Sequence, residues 1–572
     1  MLKIFYRKKK FILIIFLTIF FFILFTAITT YAHKKPVILD NVEDISFSRE
    51  SGFYDNDFYL KIYSPRGEVY YSLDGTDPTN KSIYYTEPIH IGDASNNENV
   101  YSMRQDTSAG FKTELIRKYS RNDPNYKVPD FLVDKCTIVR AVVYYGNDRY
   151  SNIKSASYFV GFDNKRGYNN LNFCSIISDP ENFFGYENGI MVLGKNFDAF
   201  VQEELESKTK VYSGPNWWWW TSNYSRGIAT EKNAVCQFFQ NNKLILSQQI
   251  GINIRGGYSR GFAQKSFNLY TRKKYGKNSH FAYNFFGNDF FPTSLTLFNG
   301  GNEYMGKIKD YIMNNLCHNL NFSTMNFSPY VVFIDGEYWG CYWLTEKYDK
   351  QYIKHYYHVL PDNIIMVKNG AIEEGSEDDI DLYKETISFI QEADFSLSKN
   401  YEKLKTLIDI NSFIDYHAAM IYIARYADWN YETNTAIWRS RKIGEGLYND
   451  GKWRWMLFDV NSGGLTEDLI DFDTFNNCLK TNPIFCSLMQ NNELKNKLLD
   501  KIVELKQTTF SKENVEKILK CFHETMDEPM ELNHKRFWGE GHYSYFKKEI
   551  NSVEMFLEHR ADFIDIMVEK YR

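Results

Sequence analysis

The sequence predicts a multidomain protein, with a small N-terminal β-sandwich followed by an α+β domain whose C-terminal part is helical. Three observations predict it. At 572 residues the chain exceeds one compact core, so two or three domains are expected. Up to about residue 160 it reads as short alternating runs cut by turn residues, the pattern of strands. After a middle part of strands and glycine turns, it reads from Asp379 on mostly as amphipathic helices. Apolar residues make up 44% and charged residues 24%, the balance of a folded chain and not a disordered one. Net charge is −5 with a pI near 6.2, which gives no argument for nucleic acid or an anionic membrane surface as partner.

Arg7, Lys8, Lys9 and Lys10 precede an apolar run from Phe11 to about Ile28, and Thr30-Tyr31-Ala32 follows with small residues suited to signal peptidase. Residues 1–32 therefore read as a signal peptide or an N-terminal membrane anchor. The basic flank places the body outside the cytoplasm, extracellular or at the cell surface, and residues 11–28 are its only membrane contact if uncleaved. Eight scattered cysteines contain no Cys-x-x-Cys pair; most are expected as buried small apolar groups.

Residues 37–160 form the first expected domain. Phe58–Tyr63, Val69–Leu73 and Cys136–Tyr145 are the plainest strands, and Asp74 and Asp77 read as turn caps, not metal ligands. Residues 161–572 form the second. Gly189–Gly194 reads as a short buried strand. The run Trp217–Trp220 is either a ring-stacking or membrane platform or a loop folded onto the domain.

Ile250–Arg255, then Gly256-Gly257-Tyr258-Ser259-Arg260-Gly261, then Lys265–Tyr270 read as strand, glycine-rich turn and strand. This resembles the phosphate-covering hairpin of kinases, in which glycines let backbone N–H groups approach oxygens. It is not a Walker A loop, because Gly-Lys-Ser/Thr is absent. Alternation puts Lys265 on the face of Phe267 and Leu269, so its ammonium either meets an anion or snorkels to water. Leu295–Asn302 ends a strand in a Gly-rich loop, and a helix is expected over about 307–320. Tyr330–Ile334 and Tyr338–Leu344 flank Asp335-Gly336, a hairpin signal. Glu346 follows at a strand-to-helix junction, where it either caps the helix or pairs with Lys265. A helix beginning near Asp409 feeds the loop Arg425–Asn434, and the run Trp453–Asn461 ends an aromatic strand on Asp459. Asp428, a loop amide and Asp459 are the residue types a phosphoryl-transfer centre needs: a base for the hydroxyl proton, and oxygens to hold the metal on the phosphates.

Several blocks together resemble known families. The run Tyr70 to Thr79 and the Val139–Tyr144 strand resemble the chitobiase C-terminal-like module, which implies an immunoglobulin-like sandwich able to face a cell-surface glycan. Ile254–Arg260 with Lys265–Leu269, Asp335–Asp349, Tyr426–Asn434 and Gly451–Asn461 resemble, in order, the blocks of the spore coat protein H (CotH) kinase family. That resemblance implies an atypical protein-kinase-like fold that phosphorylates Ser/Thr of partner proteins with ATP and Mg²⁺ or Mn²⁺. It implies Lys265 on ATP phosphates within a nucleotide site of Arg255, Gly256, Gly257, Ser259, Lys265 and Glu346. It further implies Asp428 as catalytic base and Asn434, Asp459 and Asn461 at the metal, with Asn430 as a rival for the amide role.

One position departs from the family, which usually reads Asp-x-Asp where this chain has Asp459-Val460-Asn461. An amide can ligate Mg²⁺ but brings no charge. Two readings follow: an exported kinase, or a non-catalytic surface or coat protein on a degenerate scaffold. A glycan-active enzyme would need two carboxylates across a cleft, and no such pair is visible beyond Asp428 and Asp459.

Overall fold

The computed structural model describes residues 37–38, 45–108, 126–162, 165–168, 171–206, 222–227, 229–426 and 434–572. The Trp217–Trp220 run, residues 11–28, Asp428 and Asn430 lie outside them. Among the described residues no helix is long and apolar enough to cross a membrane.

The N-terminal region is all strand and turn. Its main sheet has seven strands, centred on Thr137–Tyr144 with Lys154–Val160 on one side and Glu68–Ser72 on the other, and two further strand pairs flank it. Leu60, Ile91, Val139, Ala141, Val143 and Tyr158 form one side's core. On the other side Phe53, Phe159 and Phe162 pack edge-on against Phe173, Phe239 and Phe333 of the next region. Edge-to-face rings at these separations add to the area they bury. The N-terminal module is thus joined to its neighbour by a continuous aromatic core.

That neighbour is a closed barrel of seven strands, in the order Asn172–Ile177, Lys232–Gln240, Lys243–Arg255, Ser266–Tyr270, Ser294–Phe298, Glu337–Glu346 and Phe327–Ile334. Only the closing pair, Phe327–Ile334 with Asn172–Ile177, is parallel. Alternate residues such as Ile252, Ile254, Phe267, Leu269, Leu295, Leu297 and Leu344 make one apolar core. Asp335 and Gly336 both take positive φ, 44° and 90°, as a two-residue hairpin turn requires.

Gly189–Gly194 is not a strand. Its backbone N–H groups turn back onto the preceding short helix, Ile190 donating to the Asn182 carbonyl at 3.0 Å and Met191 to that of Phe183 at 2.9 Å. Local bonding consumes the donors that a sheet would have used.

The remainder is a four-stranded sheet, in the order Ala371–Glu374, Ile364–Lys368, Ala436–Ser440 and Arg454–Met456, backed by helices. The helix Ile410–Tyr422 is buried along most of its length and is capped by Asp409, whose carboxylate accepts from Asn411 N at 3.1 Å and Ser412 N at 3.0 Å. Asn492–Gln507, Lys512–Trp538 and Tyr543–Tyr571 close the C-terminal side. All eight cysteines are free and six are buried.

Candidate functional site

The barrel and the four-stranded sheet face each other across a cleft, and five chain segments deliver polar side chains to it. The Lys243–Arg255 strand ends on Arg255, and the Ser294–Phe298 strand runs into Asn299-Gly300-Gly301-Asn302. The first turn of the helix Lys309–Leu316 carries Asp310, and the Ile364–Lys368 strand ends on Lys368. The Arg454–Met456 strand leads through Phe458 to Asp459 and Asn461.

Asn461 ties the acidic side together. Its Nδ2 donates to Asp310 Oδ2 at 2.6 Å and also to Asp459 Oδ1, while its Oδ1 accepts from Asn302 N at 2.9 Å. The partners fix the amide's orientation, since two carboxylates need a donor and a backbone N–H needs an acceptor. Asp310 Oδ1 accepts from Val460 N at 3.1 Å. Burial, and then the neighbouring charge of Asp459, push the Asp310 carboxyl up to about 6. The backbone is shaped for this approach. Asp459 sits at φ 54° and Gly301 at φ 64°, and a Cβ on Gly301 would lie 2.8 Å from the Asn461 amide.

The basic side is Arg255 and Lys368. The Arg255 guanidinium lies 5.0 Å from the Phe298 ring centroid and the Lys368 ammonium 4.3 Å from that of Phe458. Among the described residues neither charge has a hydrogen-bonding oxygen within reach. Burial pulls both groups down from their ordinary values; Asp459 is the first charge opposing this at Arg255, and Glu373 at Lys368. Arg255, Thr296, Lys347, Lys368, Glu373 and Phe458 line a space of about 30 Å³.

Lys265 is not part of this cleft, which corrects the expectation of a phosphate lysine. It is fully buried, and its Nζ donates to three backbone carbonyls, Thr107 at 2.6 Å, Arg260 at 2.8 Å and Phe262 at 2.8 Å, beside the Tyr224 ring. It does not snorkel to water. The glycine-rich turn does not arch over the cleft either. Ser259 to Gln264 are buried, and Phe262 packs on Tyr304 with ring centroids 4.1 Å apart. Gly256 and Gly257 are exposed, with Gly256 at φ 117° beside the Ser259 hydroxyl.

Glu346 sits in the cleft wall but neither pairs with Lys265 nor caps a helix. It accepts from Tyr356 Oη at 2.5 Å, Asn326 N at 2.9 Å, Asn326 Nδ2 at 3.1 Å and Asn288 Nδ2 at 3.3 Å. Burial raises its carboxyl above the usual range. Asp349 caps the next helix instead. Asn434 Nδ2 donates to Ser462 Oγ at 3.2 Å, so Asn434 itself is held beside the segment that carries Asn461.

The structure thus brings together Arg255, Glu346, Asp459 and Asn461 of the expected residues and adds Asp310 and Lys368. The added pair left faint signals in the sequence: an acid in the first helical turn after a Gly-Gly loop, and a lysine ending a strand before an Asn-Gly turn. Among the described residues no group of three or more His, Cys, Asp or Glu side chains could hold a metal ion. Two carboxylates that meet at one amide do suit Mg²⁺, which takes one or two carboxylates and completes its shell with phosphate oxygens and water.

Comparison with known proteins adds the family. The model described as CotH kinase protein matches residues 252–564, more than half of the chain, and one described as Fn3 associated matches residues 59–158. No curated protein matches. The matched stretch runs from the end of the Lys243–Arg255 strand through Asp310, Lys368 and Asp459, so every charged group of the cleft falls inside it. The chain belongs to the CotH kinase protein family.

Proposed function

We propose that this protein is an exported, metal-dependent kinase that moves the γ-phosphoryl group of ATP to a Ser/Thr hydroxyl of a partner protein. The observation that carries this reading is the pair Arg255 and Lys368, two cations held on aromatic rings with no hydrogen-bonding oxygen among the described residues, opposite Asp310 and Asp459. Both cations are partly withdrawn from water and, among the described residues, have no oxygen in hydrogen-bonding reach, and a triphosphate supplies such oxygens. Arg255 and Lys368 bind phosphate oxygens. Asp459 and Asp310 would hold Mg²⁺ or Mn²⁺, with Asn434 as an amide ligand, and a bound ion would supply charge neutralisation at the phosphates. Asn461 clamps the two carboxylates in place. Asp428 takes the acceptor hydroxyl's proton. Residues 1–32 direct export.

The test is transfer of labelled γ-phosphate from ATP by the full-length protein with Mg²⁺ or Mn²⁺, read on the protein itself and on a generic acceptor, with Asp459→Ala and Asp428→Asn as controls. Metal-dependent label lost in both controls is the expected result. No label, with no thermal shift on adding ATP and metal, would replace this reading by a non-catalytic surface or coat protein. One observation favours that second reading: the Asn461 amide is fully spent on Asp310, Asp459 and Asn302, so the position adds no third acid.

A further inference from the structure

Beyond the N-terminal end of the helix Ile410–Tyr422 lies a second cavity of about 750 Å³. That helix is about 20 Å long at 1.5 Å per residue. This cavity and the phosphoryl-transfer cleft lie on either side of one wall, in which Tyr356 of the cavity donates to Glu346 of the cleft at 2.5 Å. The cavity's walls come from residues 318–326, the helix Lys350–Tyr357, the Asp409–Asn411 turn and the 447–454 loop.

Its charges are already matched. Arg454, almost fully buried, puts Nη1 at 2.9 Å and Nη2 at 2.8 Å from the Asp450 carboxylate, and Nε at 3.1 Å from Asp409 Oδ2. Lys405 pairs with Glu402 at 2.6 Å, and Lys452 lies 3.9 Å from Asp450. No cation here is left for a phosphate or sulfate. This is the reverse of the phosphoryl-transfer cleft.

Aromatic rings supply much of the remaining lining. Tyr352 and Tyr356 pack with centroids 4.5 Å apart, and Tyr357 and Tyr448 at 4.8 Å. Three of the hydroxyls point into the wall: Tyr352 donates to the Thr324 carbonyl at 2.5 Å, Tyr356 to Glu346 at 2.5 Å, and Tyr357 bonds Ser323 Oγ at 2.8 Å. What the cavity offers is therefore the half-exposed rings of Tyr356, Tyr357 and Tyr448, set among polar groups that include Asp450 and Asn411. A peptide adding as a strand has no place to pair, because the outer edge of Arg454–Met456 is closed by bridges from Ser323 to Met456 and from Ile408 to Trp453.

We infer that this cavity binds a neutral, hydroxyl-rich ligand, a segment of oligosaccharide. The C–H faces of its sugar rings lie on the tyrosines, and its hydroxyls bond the carboxylate of Asp450 and the amide of Asn411.

The test is isothermal titration of the full chain with four neutral hexasaccharides, built of α-glucose, β-glucose, mannose and N-acetylglucosamine, and with an acidic oligogalacturonate as control. At least one neutral hexamer binds. Tyr448→Ala weakens it about tenfold and Tyr448→Phe restores it, since the ring and not the hydroxyl is the platform. Asn411→Ala, at an exposed position that bears no core packing, weakens it about threefold. ATP affinity is unchanged in all three variants. The inference is overturned if no neutral hexamer binds, if binding survives both Tyr448→Ala and Asn411→Ala, or if the acidic control binds more tightly than every neutral one.

Discussion

Lys265, fully buried, and Lys368, half-buried, both lie near strand ends, and the contrast between them separates a structural cation from a binding one. Lys265 spends its ammonium on three carbonyls. One of them, Thr107, lies 158 residues away, so this lysine bolts the N-terminal region to the root of the glycine-rich turn. Lys368 rests on the Phe458 ring and, among the described residues, has no oxygen partner. The glycine-rich turn next to a lysine suggests a nucleotide site from the sequence, yet that lysine is spent on backbone carbonyls, and the cations that share a cleft with Asp459 are Arg255 and Lys368.

The comparison can be broken by removing each lysine in turn. Lys265→Ala leaves three buried carbonyls without a donor and costs about 4 kcal/mol of stability. Lys368→Ala loses only a cation–ring contact, about 1 kcal/mol. Denaturant unfolding of the two variants measures this directly, and equal losses would erase the distinction.

A second test sharpens the acidic side. Asn461→Asp removes the donor that two carboxylates share and adds a third negative charge beside them. Without divalent metal it destabilises by about 2 kcal/mol, and added Mg²⁺ recovers much of the loss. The readout is the melting temperature of wild type and variant with and without the ion. A variant as stable as wild type in chelator would mean that Asn461 is no clamp.

A third concerns a buried group outside both sites. His417 bonds the Phe413 carbonyl at 2.8 Å, and burial pushes its imidazole from an ordinary 6.5 to about 3. Between those values only the unfolded chain takes up the proton, so this residue makes stability fall as pH drops below about 6.5. At pH 5 the loss is about 2 kcal/mol. The stability advantage of wild type over His417→Gln should shrink by that amount between pH 7 and pH 5 in parallel unfolding titrations.

Much of the fold was legible because its signals are local. Asp335-Gly336 announces its hairpin, the period-two runs announce Glu68–Ser72 and Thr137–Tyr144, and Asp409 announces the helix it caps. Asp459 was legible as an acid at the end of an aromatic strand. What was hidden depends on partners distant in sequence. Asp310 gains its meaning from Asn461, 151 residues on, and Lys265 loses its expected role to Thr107. Gly189–Gly194 has a strand's composition, yet a neighbouring turn of helix captures its N–H groups. No window of sequence carries such competitions.

The central claim is that Arg255 and Lys368, and not Lys265, receive the phosphates. The most direct measurement is the affinity of ATP with Mg²⁺, by isothermal titration, for wild type and for Arg255→Gln and Lys368→Gln separately and together. Each single change should weaken binding about tenfold, and the double change should abolish measurable binding, with the fold intact by circular dichroism. Wild-type affinity in the double variant would contradict the account and return the phosphate site to another part of the cleft.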